Sequence, residues 1–165
     1  MILNYDDPLT KAIGETAAPQ VIYFSGTQVL ENGYYFADEK IFCSENGKAE
    51  EICSAGDLKI LGLHNMENIM AAVAMARCVN VPMDTIRKTI TAFTGVEHRI
   101  EFVTEKRGVA YYNDSKGTNP DAAIKAIQAM VRPTLLIGGG YDKDSTYDEW
   151  IEAFDGKVRY LVLLG

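Results

Sequence analysis

The stretch "YYNDSKGTNPDAAIKAIQAMVRPTLLIGGG", residues 111–140, decides the predicted fold of this chain. An apolar run, residues 109–112, stops at a polar loop, and a helical pattern begins directly after it at Pro120. The run "TLLIGGG", residues 134–140, is a continuous apolar strand that ends in glycines. Continuous apolar strands that alternate with helices indicate a buried parallel sheet with right-handed crossovers.

The C-terminal part of the chain extends this pattern. The helix after Pro120 has three apolar residues on one face: Ile124, Ile127 and Val131. Ser145 and Asp148 resemble a capping box, which predicts a further helix ended by Gly156. The apolar run "RYLVLLG", residues 159–165, is then another strand of the sheet, which we expect to be incomplete because an outer helix would have to follow. Before the loop, "RIEFV" and "GVAYYN" indicate two strands joined by the polar residues 104–107.

The first third of the chain alternates short β-like runs with turn signals. The strand "QVIYFS", residues 20–25, is followed by Asn32-Gly33 and Asn46-Gly47, which are typical of hairpin turns because both residues tolerate positive φ. The runs "YYFA" and "KIFC" lie between them, and together they predict a small meander. Near the N terminus, "ILN" is the end of a strand, and we expect Asp6 and Asp7 before Pro8 to start a turn.

Two helices are predicted next, and a domain boundary follows them near residues 95–97. Five apolar residues recur at helical spacing and form one stripe: Met66, Ile69, Met70, Val73 and Ala74. The second helix has Pro82 at its first position, a stripe of Ile86, Ile90 and Phe93, and Gly95 as its stop.

Composition narrows the class of protein. The 165 residues carry a formal charge of −7, with 47% hydrophobic and 24% charged residues, which is typical of a soluble globular protein. No basic patch suggests a nucleic-acid partner, and no apolar run approaches the roughly 18 residues of a membrane helix. Cys43, Cys53 and Cys78 form no CxxC pair, so we predict reduced thiols in a cytoplasmic protein. His64 and His98 are too separated for a convincing zinc site.

Two polar loops follow strands, at the sheet edge where α/β proteins bind ligands. Neither "NDSKGTN" nor "GGGYDKDS" matches GxGxxG or GxxxxGK[ST], so the sequence has no recognisable phosphate loop. In the first loop, Asn119 and Pro120 are explained by the start of a helix. Three other residue types there have ligand chemistry, because an Asp can accept from ribose hydroxyls or face Mg²⁺, a Lys can bind an anion, and a Thr can donate to a carboxylate. These residues are Asp114, Lys116 and Thr118, with Ser115 beside them. A capped, solvated loop explains them equally well, and both interpretations stay open.

Other candidate residues have ordinary structural explanations too. Gly138 to Gly140 permit close backbone approach or an anion-binding nest, and Lys143 could pair with a carboxylate, although a flexible turn accounts for both. Asn65 and Asn68 place two amides on one helix face, where they suit the donor and acceptor edge of adenine or serve only as polar residues at a helix start. His98 and Arg99 lie at the boundary, where linker residues are expected.

Four segments together resemble the Mur ligase family: "GLHNMENIMAA", "HRIEFV", "YYNDSKGTNPDA" and "GGGYDKDS". The last two are similar to the branch that adds D-glutamate. One departure is Gly117, where the family usually has Ala. The resemblance implies the remainder of a central ATPase-type domain at residues 1–95, followed by an incomplete Rossmann-like parallel-sheet domain at residues 96–165, in an α/β chain.

The resemblance also implies a reaction. In this branch of the family, ATP phosphorylates the carboxylate of UDP-N-acetylmuramoyl-L-alanine, and the amine of D-glutamate attacks the acyl phosphate. By analogy, Asn65 and Asn68 hold adenine, and Arg99 and Asp114 reach the nucleotide. Lys116 is the catalytic candidate, positioning phosphate or the acyl group. Thr118 and Lys143 bind the carboxylates of D-glutamate.

In the family order, the phosphate loop, the Mg²⁺ ligands, the modified lysine and the UDP-binding domain precede residue 1. We therefore expect an internal fragment with no metal ligands and no ligase activity alone, and exposed sheet edges make a swapped dimer conceivable. Three alternatives remain: a nucleotide-binding oxidoreductase domain, a folylpolyglutamate synthetase, and a non-catalytic binding module.

Overall fold

The computed structural model describes residues 1–141 and 144–164. The chain divides into two compact units, Met1–Thr94 and Gly95–Gly165. Both units combine helices with strands, which confirms the predicted α/β class.

The first unit contains one five-stranded sheet. Its strands are, in order across the sheet, β1 (Ile2–Asn4), β2 (Ile22–Ser25), β3 (Gly33–Ala37), β4 (Lys40–Glu45) and β5 (Lys48–Ser54). The first three strands are parallel to one another, and β3, β4 and β5 form an antiparallel meander. The sheet is therefore mixed, with parallel pairing on one side and hairpins on the other.

The two predicted hairpin turns have different outcomes. Asn46 and Gly47 have φ values of 53° and 75° and connect β4 to β5, as predicted. The Asn32-Gly33 prediction is wrong, because Gly33 begins β3, which runs parallel to β2. A Cβ at Gly33 would clash with the carbonyl oxygen of Tyr23, so this glycine permits close approach of two strands rather than a tight turn.

Three α-helices belong to this unit, α1 (Pro8–Thr16), α2 (Leu63–Cys78) and α3 (Met83–Ala92), together with a 3-10 turn at Ala55–Asp57. The sequence prediction missed α1. The side chain of Asp7 caps it, accepting from the N–H groups of Leu9 at 2.9 Å and Thr10 at 2.8 Å, and Pro8 occupies its first turn. The segment before Pro8 is thus the start of a helix and not only a turn.

The core of the first unit forms where α2 meets the sheet. All five residues of the predicted stripe are buried, and they pack with apolar residues of the sheet, of the segment after it and of α3: Tyr34, Ile41, Ile52, Leu58 and Ile86. In α3 the prediction for Phe93 is wrong. The helix ends at Ala92, before Gly95, and Phe93 is left 47% exposed.

The second unit contains a hairpin and a βαβ unit. The hairpin pairs β6 (Glu101–Lys106) with β7 (Val109–Asn113), and α4 (Pro120–Ala129) follows. The chain then forms β8 (Thr134–Gly139), α5 (Asp148–Glu152) and β9 (Val158–Leu164), with β8 and β9 parallel as predicted. Among the described residues β7 pairs with β6 and not with β8, so the parallel sheet of the second unit has only β8 and β9 and fewer strands than expected. An apolar run indicates a strand but not its partner.

Three finer predictions in the second unit are wrong. The helix α5 starts at Asp148 without a side-chain cap, so Ser145 and Asp148 do not form the expected capping box. Val131 lies beyond the end of α4 and is 88% exposed. The strands β8 and β9 are not buried within this chain, and seven of their apolar side chains are exposed: Leu135, Ile137, Tyr160, Leu161, Val162, Leu163 and Leu164.

Candidate functional site

The loop between β7 and α4 is curled by its own hydrogen bonds. The N–H of Gly117 donates to the carbonyl oxygen of Asp114 at 2.8 Å, and the N–H of Thr118 donates to the carbonyl of Lys116 at 3.0 Å. Oδ1 of Asn113 accepts from the N–H of Ser115 at 3.1 Å. The loop therefore has a defined shape, which a plain solvated linker would not need.

Asp114 joins this loop to the segment that precedes β6. Its Oδ1 accepts the N–H of Ile100 at 2.9 Å, and the residue is half-buried. A Cβ at Gly117 would lie 2.5 Å from Oδ2 and 3.1 Å from the carbonyl oxygen of Asp114. The absence of a side chain at Gly117 therefore leaves room for the Asp114 carboxylate in its present position.

His98 contacts the same loop at two points, which the sequence interpretation missed. Its carbonyl accepts the N–H of Lys116 at 3.0 Å, and its Nδ1 lies 3.0 Å from Nδ2 of Asn113. The main-chain N–H of His98 donates to Oε2 of Glu101 at 2.8 Å, and Nδ1 is 3.4 Å from the same oxygen. Residues of mixed type at loop positions carry no periodicity, so no sequence signal pairs these side chains.

Arg99 lies between two residues with a left-handed backbone. His98 has a φ of 66° and Ile100 a φ of 45°, and the latter is rare for a β-branched residue. Strained backbone of this kind persists where surrounding contacts hold it, and it is concentrated at functional sites. The hydrogen bonds to Lys116 and Asp114 supply those contacts, and the side chain of Arg99 is left exposed beside the loop.

The remaining residues of the loop divide into a structural and an exposed group. Oδ1 of Asn119 accepts the N–H of Ala122 at 2.8 Å and caps α4, with Pro120 at the first helical turn, as predicted. Lys116 and Thr118 are exposed, on the segment that joins the capped helix to Asp114. In the second unit, two hydrogen-bonded segments thus carry four of the predicted site residues. Arg99 lies on the segment before β6, and Asp114, Lys116 and Thr118 lie on the loop after β7.

The second predicted loop is described only in part. Lys143 lies outside the described residues, together with its neighbour Asp142. Gly139 and Gly140 have φ values of 141° and 127°, and the N–H of Gly140 donates to the carbonyl of Leu164 at 3.1 Å. A Cβ at Gly139 would clash with that carbonyl oxygen, so Gly139 serves the close pairing of β8 and β9.

In the first unit, Asn65 and Asn68 lie together in the first two turns of α2. Nδ2 of Asn65 donates to the carbonyl of Leu61 at 2.7 Å, and Nδ2 of Asn68 approaches Oδ1 of Asn65 at 3.4 Å. Asn65 is half-buried and Asn68 is exposed. The first bond holds the Asn65 amide in one orientation, and the exposed amide of Asn68 carries both donor and acceptor groups.

No metal site or membrane helix is found in the described parts of the chain. Within residues 1–141 and 144–164, no three His, Cys, Asp or Glu side chains lie close enough together to hold a metal ion. None of the helices in these ranges has the length and apolar character needed to cross a membrane.

Comparison with known proteins finds a family model that matches the second unit and relatives that match nearly the whole chain. Residues 98–165 match the family model described as Mur ligase, glutamate ligase domain. The chain is 55% identical over 164 residues to the UDP-N-acetylmuramoylalanine--D-glutamate ligase of Lachnoclostridium phytofermentans, covering 99% of this chain and 36% of the relative. The enzyme of the same name from Clostridioides difficile is 43% identical, again over 99% of this chain and 36% of the relative. The chain thus spans about a third of the length of these relatives.

Solved structures share the fold at lower identity. MurF from Acinetobacter baumannii aligns with a TM-score of 0.67 at 21% identity, covering 99% of this chain and 38% of that one. Folylpolyglutamate synthetase from Lactobacillus casei aligns with a TM-score of 0.57 at 15% identity, covering 97% of this chain and 41% of that one. At these identities the likeness concerns the fold alone.

Proposed function

We propose that the chain belongs to the Mur ligase family and is part of an ATP-dependent ligase that joins D-glutamate to UDP-N-acetylmuramoyl-L-alanine in cytoplasmic peptidoglycan synthesis. The observation that carries this proposal is the 55% identity to a D-glutamate ligase over 99% of the chain. The folylpolyglutamate synthetase alternative has only a likeness of fold at 15% identity in its support.

The first unit would contribute recognition of the adenine base. The carbonyl of Leu61 orients the amide of Asn65, and Asn68 is exposed on the same face of α2. A fixed amide and an adjustable one can together accept from and donate to the edge of adenine. We assign residues 1–95 to the back part of the central, ATP-binding domain on this basis.

The second unit would bind the charged part of the nucleotide and the reacting acyl group. Arg99 is an exposed cation that precedes Ile100, whose N–H already occupies Oδ1 of Asp114. The remaining acceptor capacity of the carboxylate suits ribose hydroxyls, and the guanidinium suits phosphate oxygens. Lys116, whose main chain is fixed by His98, would place a positive charge where the acyl phosphate forms and where phosphate leaves.

D-glutamate would be bound by Thr118 and Lys143, through their hydroxyl and ammonium groups to its carboxylates. This would hold the free amine for attack on the acyl carbon, forming the amide bond and releasing phosphate. We assign residues 96–165 to the front part of the C-terminal, ligand-binding domain. Residues 1–165 contain no GxxxxGK[ST] motif, so we propose that this chain alone does not complete the reaction.

Nuclear magnetic resonance titration of the 165-residue chain tests these assignments separately. ADP should shift the side-chain amide signals of Asn65 and Asn68, and GDP should shift them less. D-glutamate should shift the amide signals of residues 116–118, and L-glutamate should not. Equal responses to ADP and GDP would overturn the adenine assignment. Release of phosphate that depends on ATP, D-glutamate and UDP-N-acetylmuramoyl-L-alanine would overturn the proposed inactivity of the chain alone.

A further inference from the structure

One carboxylate in the first unit organises an entire loop. Asp6, which follows β1, accepts four hydrogen bonds from the loop of residues 25–28 after the parallel neighbour β2. Oδ1 accepts from the Ser25 hydroxyl at 2.7 Å, the Thr27 hydroxyl at 2.7 Å and Nε2 of Gln28 at 3.3 Å. Oδ2 accepts the N–H of Gly26 at 2.7 Å. Both oxygens of Asp6 are therefore committed to this loop.

The loop is buried at Ser25 and Gly26 and exposed at Thr27 and Gln28. Ser25 is completely buried, and its Oγ accepts the N–H groups of Thr27 at 3.2 Å and Gln28 at 2.8 Å while donating to Asp6. Burial opposes ionisation of Asp6, but the hydrogen bonds from the loop outweigh it and lower the pKa of the carboxyl below its ordinary value. The acceptor is thus a full anion at neutral pH.

The loop lies against the beginning of α2. A Cβ at Gly26 would lie 2.9 Å from Oε1 of Glu67 and 3.2 Å from Cδ1 of Leu63, so the backbone of Gly26 is packed on both residues. In the sequence of α2, Leu63 precedes Asn65 by two residues and Glu67 follows it by two. The loop of residues 25–28 therefore packs against the same helical turns that carry Asn65 and Asn68.

The first turn of α2 has no local side-chain cap to hold it. Its cap position is Gly62, which makes no side-chain hydrogen bond, and no acidic residue stands in the first turn. A helix start without a side-chain cap lacks one stabilising hydrogen bond, and its first turn is more prone to fraying. Packing of Gly26 on Leu63 and Glu67 adds contacts that hold this turn in place.

We propose that Asp6 is a positioning residue for the adenine site: by holding the loop of residues 25–28 against α2, it keeps Asn65 and Asn68 in place for the base. This inference rests on the proposed adenine-binding function of the two asparagines. Asp6 itself does not touch the ligand.

The substitution Asp6→Asn is the sharpest test because it keeps the size of the side chain. An amide has one accepting oxygen, so either the N–H of Gly26 or the three donors on the other side would face an NH₂ group. The matched control is Asp7→Asn, the same change at the neighbouring residue. Asp7 only caps α1, and Asn caps a helix as well as Asp does.

Two measurements should be made on the 165-residue chain: amide hydrogen exchange without ligand, and ADP affinity by titration. In Asp6→Asn we expect faster exchange at Gly26 to Gln28 and in the first turn of α2, with ADP binding weakened about tenfold. Asp7→Asn should change neither. Thr27→Val, which removes one donor at an exposed position, should give a smaller loss and decides the matter if Asp6→Asn does not fold.

The outcomes separate this inference from the function on which it rests. If the wild-type chain does not bind ADP, the adenine assignment is wrong and the role of Asp6 falls with it. If the wild type binds ADP and the folded Asp6→Asn variant binds it equally well, Asp6 serves stability only and the positioning role alone is wrong.

Discussion

The main-chain N–H of Ile100 donates to Oδ1 of Asp114 across 2.9 Å, although the two residues are 14 positions apart. The bond holds a β-branched residue at a φ of 45°, and it attaches the segment carrying Arg99 to the loop carrying Lys116. A carboxylate that accepts a backbone N–H in this way is a structural anchor as well as a ligand candidate. Changes that displace the Asp114 carboxylate should therefore affect both properties.

Gly117→Ala should displace that carboxylate. The added methyl group would meet Oδ2 of Asp114 at 2.5 Å, so the side chain must rotate and weaken its bond to Ile100. Loss of one such bond should lower the free energy of unfolding by about 1 kcal/mol, measured by urea denaturation. Gly138→Ala is the control, since its Cβ would make only ordinary contacts of 3.6 Å with Trp150. Equal stability of the two variants would show that Asp114 adjusts without loss.

Met70→Ala should be strongly destabilising. Met70 is completely buried in the core between α2 and the sheet, so truncation leaves a cavity and should cost about 2–5 kcal/mol. Met75→Ala makes the same change on the same helix at a residue that is 56% exposed, and its cost should be below about 1 kcal/mol. Thermal denaturation of both variants checks the difference. Similar losses would contradict the observation that the face of α2 carrying Met70 is buried and the face carrying Met75 is exposed.

Asn119→Ala should remove the cap of α4. The Ala122 N–H would lose its acceptor, and stability should fall by about 1 kcal/mol. Asn119→Asp keeps an accepting oxygen and should be nearly neutral. Urea denaturation followed by a signal from the second unit measures both variants, and a neutral Asn119→Ala would mean that water replaces the cap.

Cys53 should make the chain less stable at alkaline pH. Burial raises the pKa of its thiol from 9.0 to about 11, with repulsion from Asp57 and Glu51 adding to the effect. The raised folded-state pKa gives a contribution that is complete below pH 9 and is lost as pH rises towards 11. Cys53→Ala should therefore show a shallower fall in unfolding free energy across this window than the wild type. If the unfolding free energies of Cys53→Ala and the wild type fell equally with pH, Cys53 would not be the cause of the loss.

The sequence pattern predicts regular elements well where apolar periodicity is strong. The stripe from Met66 to Ala74 is buried as predicted, because a helix with one apolar face has a single way to pack it. Asn119 and Pro120 start α4 because capping is a local property. Asp7 and Pro8 carry the same local signal at the start of α1, where the sequence interpretation read only a turn.

The candidate site is less predictable because its contacts connect distant positions. His98 with Asn113, and Asp6 with Ser25, are joined across 15 and 19 residues by polar side chains without periodicity. Gly33 and Asn32 form a turn signal by type, yet the glycine is required by a neighbouring strand. Residue type indicates what a side chain can bind, and only the fold decides which partner reaches it.

The placement of Asn65 and Asn68 at the start of a helix with a buried stripe limits how this region can change in length. Each added or removed residue rotates the following part of an α-helix by about 100°. An insertion or deletion between Asn68 and Ile69 would turn the amide pair away from its present direction or pull the stripe out of the core. Homologous chains can therefore exchange side chains along α2 far more freely than they can gain or lose a single position within it.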